Sequence, residues 1–182
     1  MRKLVVSQFI TLDGVMEGPE KWNATYLKDE EVVCEILADF DASDAILFGR
    51  FSYEFFGARW PSRSGAMADK FNQLTKYVVS TSLQKADWNN SVVVKENAVK
   101  AIEVLKMQQG KNIILFGSYR LLQTLMQEHL VDEYKVYVYP LTLGTGRRLF
   151  EHGAPAQTFK LMSAKSFASG VIAITYQPER RI

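Results

Sequence analysis

The chain has 182 residues, 47% of them apolar and 23% charged, with a formal net charge of +2. That balance describes one soluble domain with a sizeable core; it excludes a disordered chain and gives no electrostatic ground for nucleic-acid binding. The single cysteine, Cys34, excludes an intrachain disulfide and a multi-cysteine zinc site. From the amino terminus, residues 4–10 read as a first strand. The basic start and short apolar stretch are broken by Ser7 and Gln8, so no signal-peptide pattern is present and no run is long enough for a membrane span. The expectation is a cytoplasmic protein. Residues 11–26 form a long irregular stretch with Asp13-Gly14 and Gly18-Pro19, a length that suggests a functional lid. Residues 28–40 have the period of a helix, with Val32, Val33, Ile36, Leu37 and Phe40 on one face, Asp29, Glu30 and Glu31 in its first turn, and Cys34 inside it as a structural thiol.

The next strand, residues 45–48, runs through Gly49-Arg50 into a short helix at Phe51-Ser52-Tyr53-Glu54, and residues 61–65 read as a loop. Short strands follow at 77–79 and 92–94, then a helix at 97–107 with Asn97 as its N-cap. A strand at 113–116 leads into a helix at 119–130, and an alternating strand covers 134–139. Residues 159–167 and 171–176 read as two strands of a hairpin joined at Ala168-Ser169-Gly170. Strand–helix units followed by a terminal hairpin predict an α/β fold. It would have three layers: a mostly parallel central sheet of about eight strands, helices on both faces and an antiparallel edge. No linker divides the chain, so residues 1–182 read as a single domain. Tyr134, Tyr137 and Tyr139 mark an aromatic strand near the antiparallel edge, and the expectation is a homodimer in which a second copy covers that edge, the alternative being cover within its own chain.

Three apolar runs share one ending: Ala45-Ile46-Leu47-Phe48 stops at Gly49-Arg50, Tyr77-Val78-Val79 at Ser80-Thr81-Ser82, and Ile113-Ile114-Leu115-Phe116 at Gly117-Ser118. Ligands of open α/β sheets bind outside the carboxyl ends of the strands. Glycine there lets backbone approach a ligand, and a following helix start suits phosphates. The predicted site is a cradle for a large phosphorylated ligand, with Gly49, Ser80 and Gly117 along one rim. Other signatures are missing from the sequence. Gly144-Thr145-Gly146 begins like a dinucleotide fingerprint, but position 149 is Leu149. There is no lysine-containing phosphate loop, no H-E-x-x-H motif and no G-x-S-x-G elbow, and two histidines, His129 and His152, make a metal site an unlikely fit, so none is expected.

The ordered set Ser7 to Gly14, Leu47-Phe48-Gly49-Arg50-Phe51-Ser52-Tyr53-Glu54, Lys76 to Leu83, Phe116-Gly117-Ser118, Leu130 to Tyr134 and Pro140 to Gly146 resembles the dihydrofolate reductase-like superfamily. It is most similar to the branch holding the reductase domain of the riboflavin-biosynthesis deaminase–reductase and its stand-alone relatives. The resemblance implies an NADPH-dependent reductase acting on a pyrimidine that carries a ribosyl or ribityl phosphate, as 5-amino-6-(5-phosphoribosylamino)uracil does, or on a pterin. The zinc ligands of the associated deaminase domain are missing from this sequence. The cofactor residues it implies are Gly49, Arg50 and Ser52 after the second strand, Ser80, Thr81 and Ser82 near the ribose 2′-phosphate, Gly117, Ser118, Tyr119, Arg120 and Leu121 next to the pyrophosphate, and Gly144 near the nicotinamide. Arginine and hydroxyls suit a phosphate, whereas NAD sites hold a carboxylate against the ribose diol and the 80–82 strand end has none, so NADPH is the expected cofactor.

For the reaction, Asp13, Met16 and Trp22 are expected over the substrate, with Trp22 alternatively a packing anchor of the loop. Dihydrofolate reductases carry an acid on the first helix. The matching position here falls near Val33, so the candidate acids become Asp13 and Asp29, and Asp29 alternatively serves only the helix dipole. Arg59, Arg147 and Arg148 are candidates for a substrate phosphate. The competing reading is a nucleotide- or folate-binding protein of the same fold without efficient catalysis.

Overall fold

Strands buried on both faces need apolar residues at consecutive positions, and the second and fifth strands have them: Ala45, Ile46, Leu47 and Phe48, and Ile113, Ile114 and Leu115, are all within 1% of complete burial. The structure, a computed structural model, describes residues 1–154 and 156–179. Its elements run β1 (Leu4–Thr11), α1 (Glu30–Asp41), β2 (Ser43–Gly49), α2 (Arg50–Gly57), α3 (Ala66–Gln73), β3 (Thr75–Val79), β4 (Ser91–Val94), α4 (Ala98–Met107), β5 (Asn112–Phe116), α5 (Tyr119–Gln127), β6 (Glu133–Tyr139), β7 (Phe159–Ser166) and β8 (Ile172–Pro178). The eight strands follow the order β4-β3-β2-β5-β1-β6-β8-β7. This is the mostly parallel sheet with a C-terminal antiparallel hairpin that the sequence predicts.

The chain divides into two compact units. One comprises Met1–Val5 with Leu37–Val131, and the other Val6–Ile36 with the residues from Asp132 onward. In the first, β2 pairs in parallel with β3 and with β5, and β3 pairs in parallel with β4. Its core is an aromatic cluster around Phe71, whose ring lies 5.0 Å from Phe40, 5.2 Å from Phe56 and 4.7 Å from Trp60. In the second unit β8 pairs antiparallel with both β6 and β7. The hairpin closes with Phe167 N donating to Val171 O at 2.9 Å and Gly170 N to Phe167 O at 2.9 Å.

Local signals account for most boundaries. Asn97 caps α4, its side chain accepting from Lys100 N at 3.1 Å. Helix α5 stops at Gln127, three residues before the expected end. His129 takes φ 53° there, with its N–H donating to Met126 O and the Leu130 N–H to Leu125 O, the paired bonds of a left-handed C-terminal cap. Helix α3 was not expected from the sequence. Its hydrophobic signal is only Ala68 and Phe71, both 1% exposed, and the aromatic cluster rather than periodicity holds it.

Two further expectations are corrected. Cys34 is exposed rather than a packed structural thiol, because Val32, Ile36 and Phe40 form the buried stripe of α1. β6 is interior to the strand order, and Tyr134, Tyr137 and Tyr139 are 2%, 0% and 0% exposed within their own chain. The aromatic strand is thus covered within its own chain, the alternative to cover by a second copy. The strand at the end of the order is β7, with seven of its eight residues exposed.

Lys76, 0% exposed, anchors α3 to β3. Its ammonium donates to Phe71 O at 2.8 Å, Leu74 O at 2.7 Å and Asn72 O at 3.3 Å, and lies 4.6 Å from the Trp88 ring centroid. Burial pushes its pKa down to about 8, which still leaves it a cation at neutral pH. Three carbonyls and an aromatic face match the three N–H donors and the charge. Lys76→Met removes the donors while keeping the length of the side chain. It should destabilise the fold by about 2–4 kcal/mol in urea unfolding, and an unchanged midpoint would contradict this role.

Candidate functional site

Parallel pairing puts the carboxyl ends of β3, β2 and β5 on one edge. Gly49 stands opposite Val79, and Leu47 opposite Leu115, so Gly49, Ser80 and Gly117 lie at the ends of three adjacent strands. Side chains tie this rim together. Gly49 N donates to Ser118 Oγ at 2.7 Å, and Ser118 N donates to Ser52 Oγ at 2.8 Å. Gly117 has φ 75° and Ser118 φ 65°, a left-handed pair in which only the glycine is free of the usual steric cost. A Cβ on residue 117 would stand 3.2 Å from Ser52 Oγ, so the turn also needs glycine for space. Helices α2 and α5 start directly after Gly49 and Ser118, and neither N-cap residue caps its helix with its side chain. Two helix N-termini on one rim favour an anionic ligand.

At the β3 end the rim carries charge. Arg50 donates from Nη1 to Ser82 Oγ at 2.8 Å and from Nε to Glu54 Oε1 at 2.7 Å. Ser82 and Thr81 are exposed. Ser80 is 7% exposed, and its hydroxyl accepts from Ser82 N at 3.3 Å and Leu83 N at 3.0 Å, so it shapes the turn instead of facing outward. Beside this end lies an open groove of about 720 Å³ whose lining includes Tyr53, Glu54, Leu83, Lys85, Asp87 and Trp88. Tyr119 is half-buried and Arg120 exposed, while Leu121 is 8% exposed and packs inward, 3.8 Å from where a Cβ on Gly49 would lie. Arg59, just past the end of α2, is turned back on that helix: Nη1 donates to Phe55 O at 2.7 Å and the guanidinium lies 3.7 Å from the Phe55 ring centroid.

The second unit holds the expected lid and acids. Residues 11–16 are knit to the 141–149 loop: Leu12 N donates to Leu141 O at 2.9 Å, Met16 N to Arg147 O at 2.9 Å and Leu149 N to Gly14 O at 3.0 Å. Asp13 joins them, accepting from Thr11 Oγ1, from Gly144 N at 2.8 Å and from Leu143 N at 3.3 Å. The Thr11 hydroxyl first, and then the Gly144 amide, hold its carboxyl down at about 2, so it has no proton to give at neutral pH. Arg148 donates to Asp13 O, and Arg147 N to Glu17 Oε2 at 3.1 Å; both arginines serve the loop. Gly144 itself is exposed. Met16 is 7% exposed, and Trp22 is an anchor, its Nε1 donating to Glu17 O at 3.1 Å and its ring 5.2 Å from Tyr139.

Asp29 caps α1, accepting from Glu31 N at 3.1 Å and Ser169 N at 3.0 Å, and the Ser169 bond holds its carboxyl below the usual range. Val33 is half-buried. The α1 carboxylate that sequence reasoning missed, Glu35, is taken by Lys135 at 2.8 Å and Lys165 at 3.2 Å, and the Lys135 bond lowers its pKa. Also missed is Tyr139, whose buried hydroxyl is without a hydrogen-bond partner and whose pKa burial drives up. Among the described residues no group of carboxylates, histidines or cysteine is placed to hold a metal ion, and no helix is long and apolar enough to cross a membrane.

Sheet order and terminal hairpin define an α/β domain of the dihydrofolate reductase-like fold. The chain belongs to the RibD C-terminal domain family, whose model matches residues 2–173. It is similar to the Bacillus subtilis (strain 168) protein YyaP, 29% identical over 181 residues that cover 96% of this chain and 94% of that one. Among solved structures it is similar to a putative riboflavin biosynthesis protein from Shewanella sp. PV-4, with a TM-score of 0.69, 18% identity, and 99% of this chain and 100% of that chain covered. It is also similar to a diaminohydroxyphosphoribosylaminopyrimidine deaminase/5-amino-6-(5-phosphoribosylamino)uracil reductase from Thermotoga maritima, with a TM-score of 0.67, 13% identity, and 97% of this chain and 56% of that one covered. The fold is the reductase-like fold of the riboflavin pathway.

Two outcomes follow from the hydrogen bonds. Ser52→Ala leaves the Ser118 N–H without its acceptor and should cost about 1–2 kcal/mol in chemical unfolding; no loss would remove Ser52 from the rim's support. Asp13, with its pKa lowered from 3.8 to about 2, holds Gly144 fully above pH 3.8 and releases it as pH falls through 2. The Gly144 amide shift in NMR should titrate with a midpoint near 2, and a midpoint at or above 3.8 would reject the tether.

Proposed function

We propose that the chain is an NADPH-dependent reductase that delivers hydride to a pyrimidine or pterin-type substrate in the cytoplasm. The observation that carries this reading is the rim of β3, β2 and β5. It unites two helix N-termini, the Arg50 guanidinium and the Ser82 hydroxyl beside an open groove. That donor set fits an extended anion with more than one phosphate group. Gly49, Ser52, Gly117 and Ser118 would form the backbone platform against the phosphates, with Tyr119 and Arg120 on the first turn of α5. Arg50, Thr81 and Ser82 would hold the 2′-phosphate, while Ser80 keeps their turn in shape. When bound, NADPH supplies the hydride. The family's tie to riboflavin biosynthesis supports a ribosyl-phosphate pyrimidine as the substrate class.

A second reading, a nucleotide-binding protein without efficient chemistry, has one observation in its favour. Asp13, Asp29 and Glu35 are all held ionised by donors, so none of them stands ready as an acid. Following the nicotinamide absorbance of NADPH with candidate pyrimidines and pterins separates the two. Oxidation supports the reductase; tight NADPH binding with no oxidation by any substrate supports the second reading.

Arg50→Ala should weaken NADPH about tenfold more than NADH, since one charged contact to the extra phosphate is lost. Equal losses for both cofactors in calorimetric titration would reject the 2′-phosphate assignment.

A further inference from the structure

The sequence places no carboxylate on the 80–82 strand end, yet the fold brings one there from another element. Glu54 lies one turn after Arg50 on α2, its Oε1 2.7 Å from Arg50 Nε, while Arg50 Nη1 reaches Ser82 Oγ at 2.8 Å. Arg50 thus bridges an acid and a hydroxyl, and both partners of the ion pair are about half exposed, at 51% and 48%. Glu54 also lines the adjoining groove, where the one lysine, Lys85, is already paired with Asp87 at 2.6 Å. Among the described residues the groove lining holds no other lysine or arginine to offset Glu54.

Resting on the dinucleotide reading above, we propose that Glu54 is a specificity-determining residue that narrows the preference for NADPH over NADH. A 2′-phosphate on Arg50 and Ser82 meets the carboxylate of Glu54 as a like charge and competes with it for the guanidinium. An unphosphorylated ribose meets the same carboxylate as an acceptor for its 2′-hydroxyl. The acid therefore costs the phosphorylated cofactor affinity and costs the other none. Because the pair is exposed, the effect is one of severalfold rather than of orders of magnitude.

The test is the affinity of the full chain for NADPH and for NADH, read by nicotinamide fluorescence, in the wild type, Glu54→Gln and Glu54→Ala. Both variants should tighten NADPH roughly two- to fivefold and leave NADH unchanged or weaker, so the NADPH-to-NADH ratio rises in each. A ratio that stays level, or moves toward NADH, in both variants would overturn the role of Glu54 while leaving the dinucleotide site standing. Failure of the wild type to bind either cofactor would overturn the reading on which the proposal rests, a result distinct from an unchanged ratio. Thermal melting of each variant alongside the wild type confirms that the ratios compare folded proteins.

Discussion

Three parallel strands that finish level with one another are the constraint on which the rest depends. β3, β2 and β5 pair so that Gly49 faces Val79 and Leu47 faces Leu115, and the turns that follow meet at one edge. A parallel strand that runs into a helix brings its last carbonyls and the helix's first N–H groups to the same end, so aligning β2 and β5 sets two helix N-termini side by side. The rim is then made specific by two short bonds, Gly49 N to Ser118 Oγ and Ser118 N to Ser52 Oγ. These hold a serine in a left-handed conformation that it adopts unaided only at a cost. The burial of β2 and β5 supplies the rigidity against which that cost is sustained.

Charge is organised around the same idea of positions claimed in advance. In the first unit, Arg50 is suspended between Glu54 and Ser82, and Lys76 is saturated by three carbonyls. In the second, Asp13 closes a turn onto Gly144, Asp29 joins α1 to Ser169, and Glu35 spans two lysines. Each of these carboxylates is worth more as a structural acceptor than as a proton donor, since every bond it receives favours its ionised form. Tyr139, whose ring meets those of Phe9, Trp22 and Tyr26, is a contrasting case: its buried hydroxyl is left unsatisfied.

Much of the architecture was legible in the residues. The apolar runs at 45–48 and 113–116, the Asn97 cap, the helix of residues 28–40 and the terminal hairpin each follow from local chemistry, and each is present within a few residues. The rim was legible as positions: Gly49, Ser80 and Gly117 do share an edge. What the residues left open were the contacts. Ser80 shapes its own turn, Met16 is buried, Trp22 takes the anchoring role that was its alternative, and Arg59, a candidate for a substrate phosphate, lies on Phe55. Helix α3 stayed hidden because its stability comes from rings distant in sequence.

By itself the sequence determined the periodicities, the turns and the strand ends, because those depend on neighbours a few residues away. Only the tertiary structure decided which polar side chains were already engaged, because their partners are remote along the chain: Ser118 for Gly49, Ser82 for Arg50, Gly144 for Asp13, Lys135 for Glu35. A hydrogen bond is satisfied by whatever the fold brings within about 3 Å, and no local pattern encodes that distance.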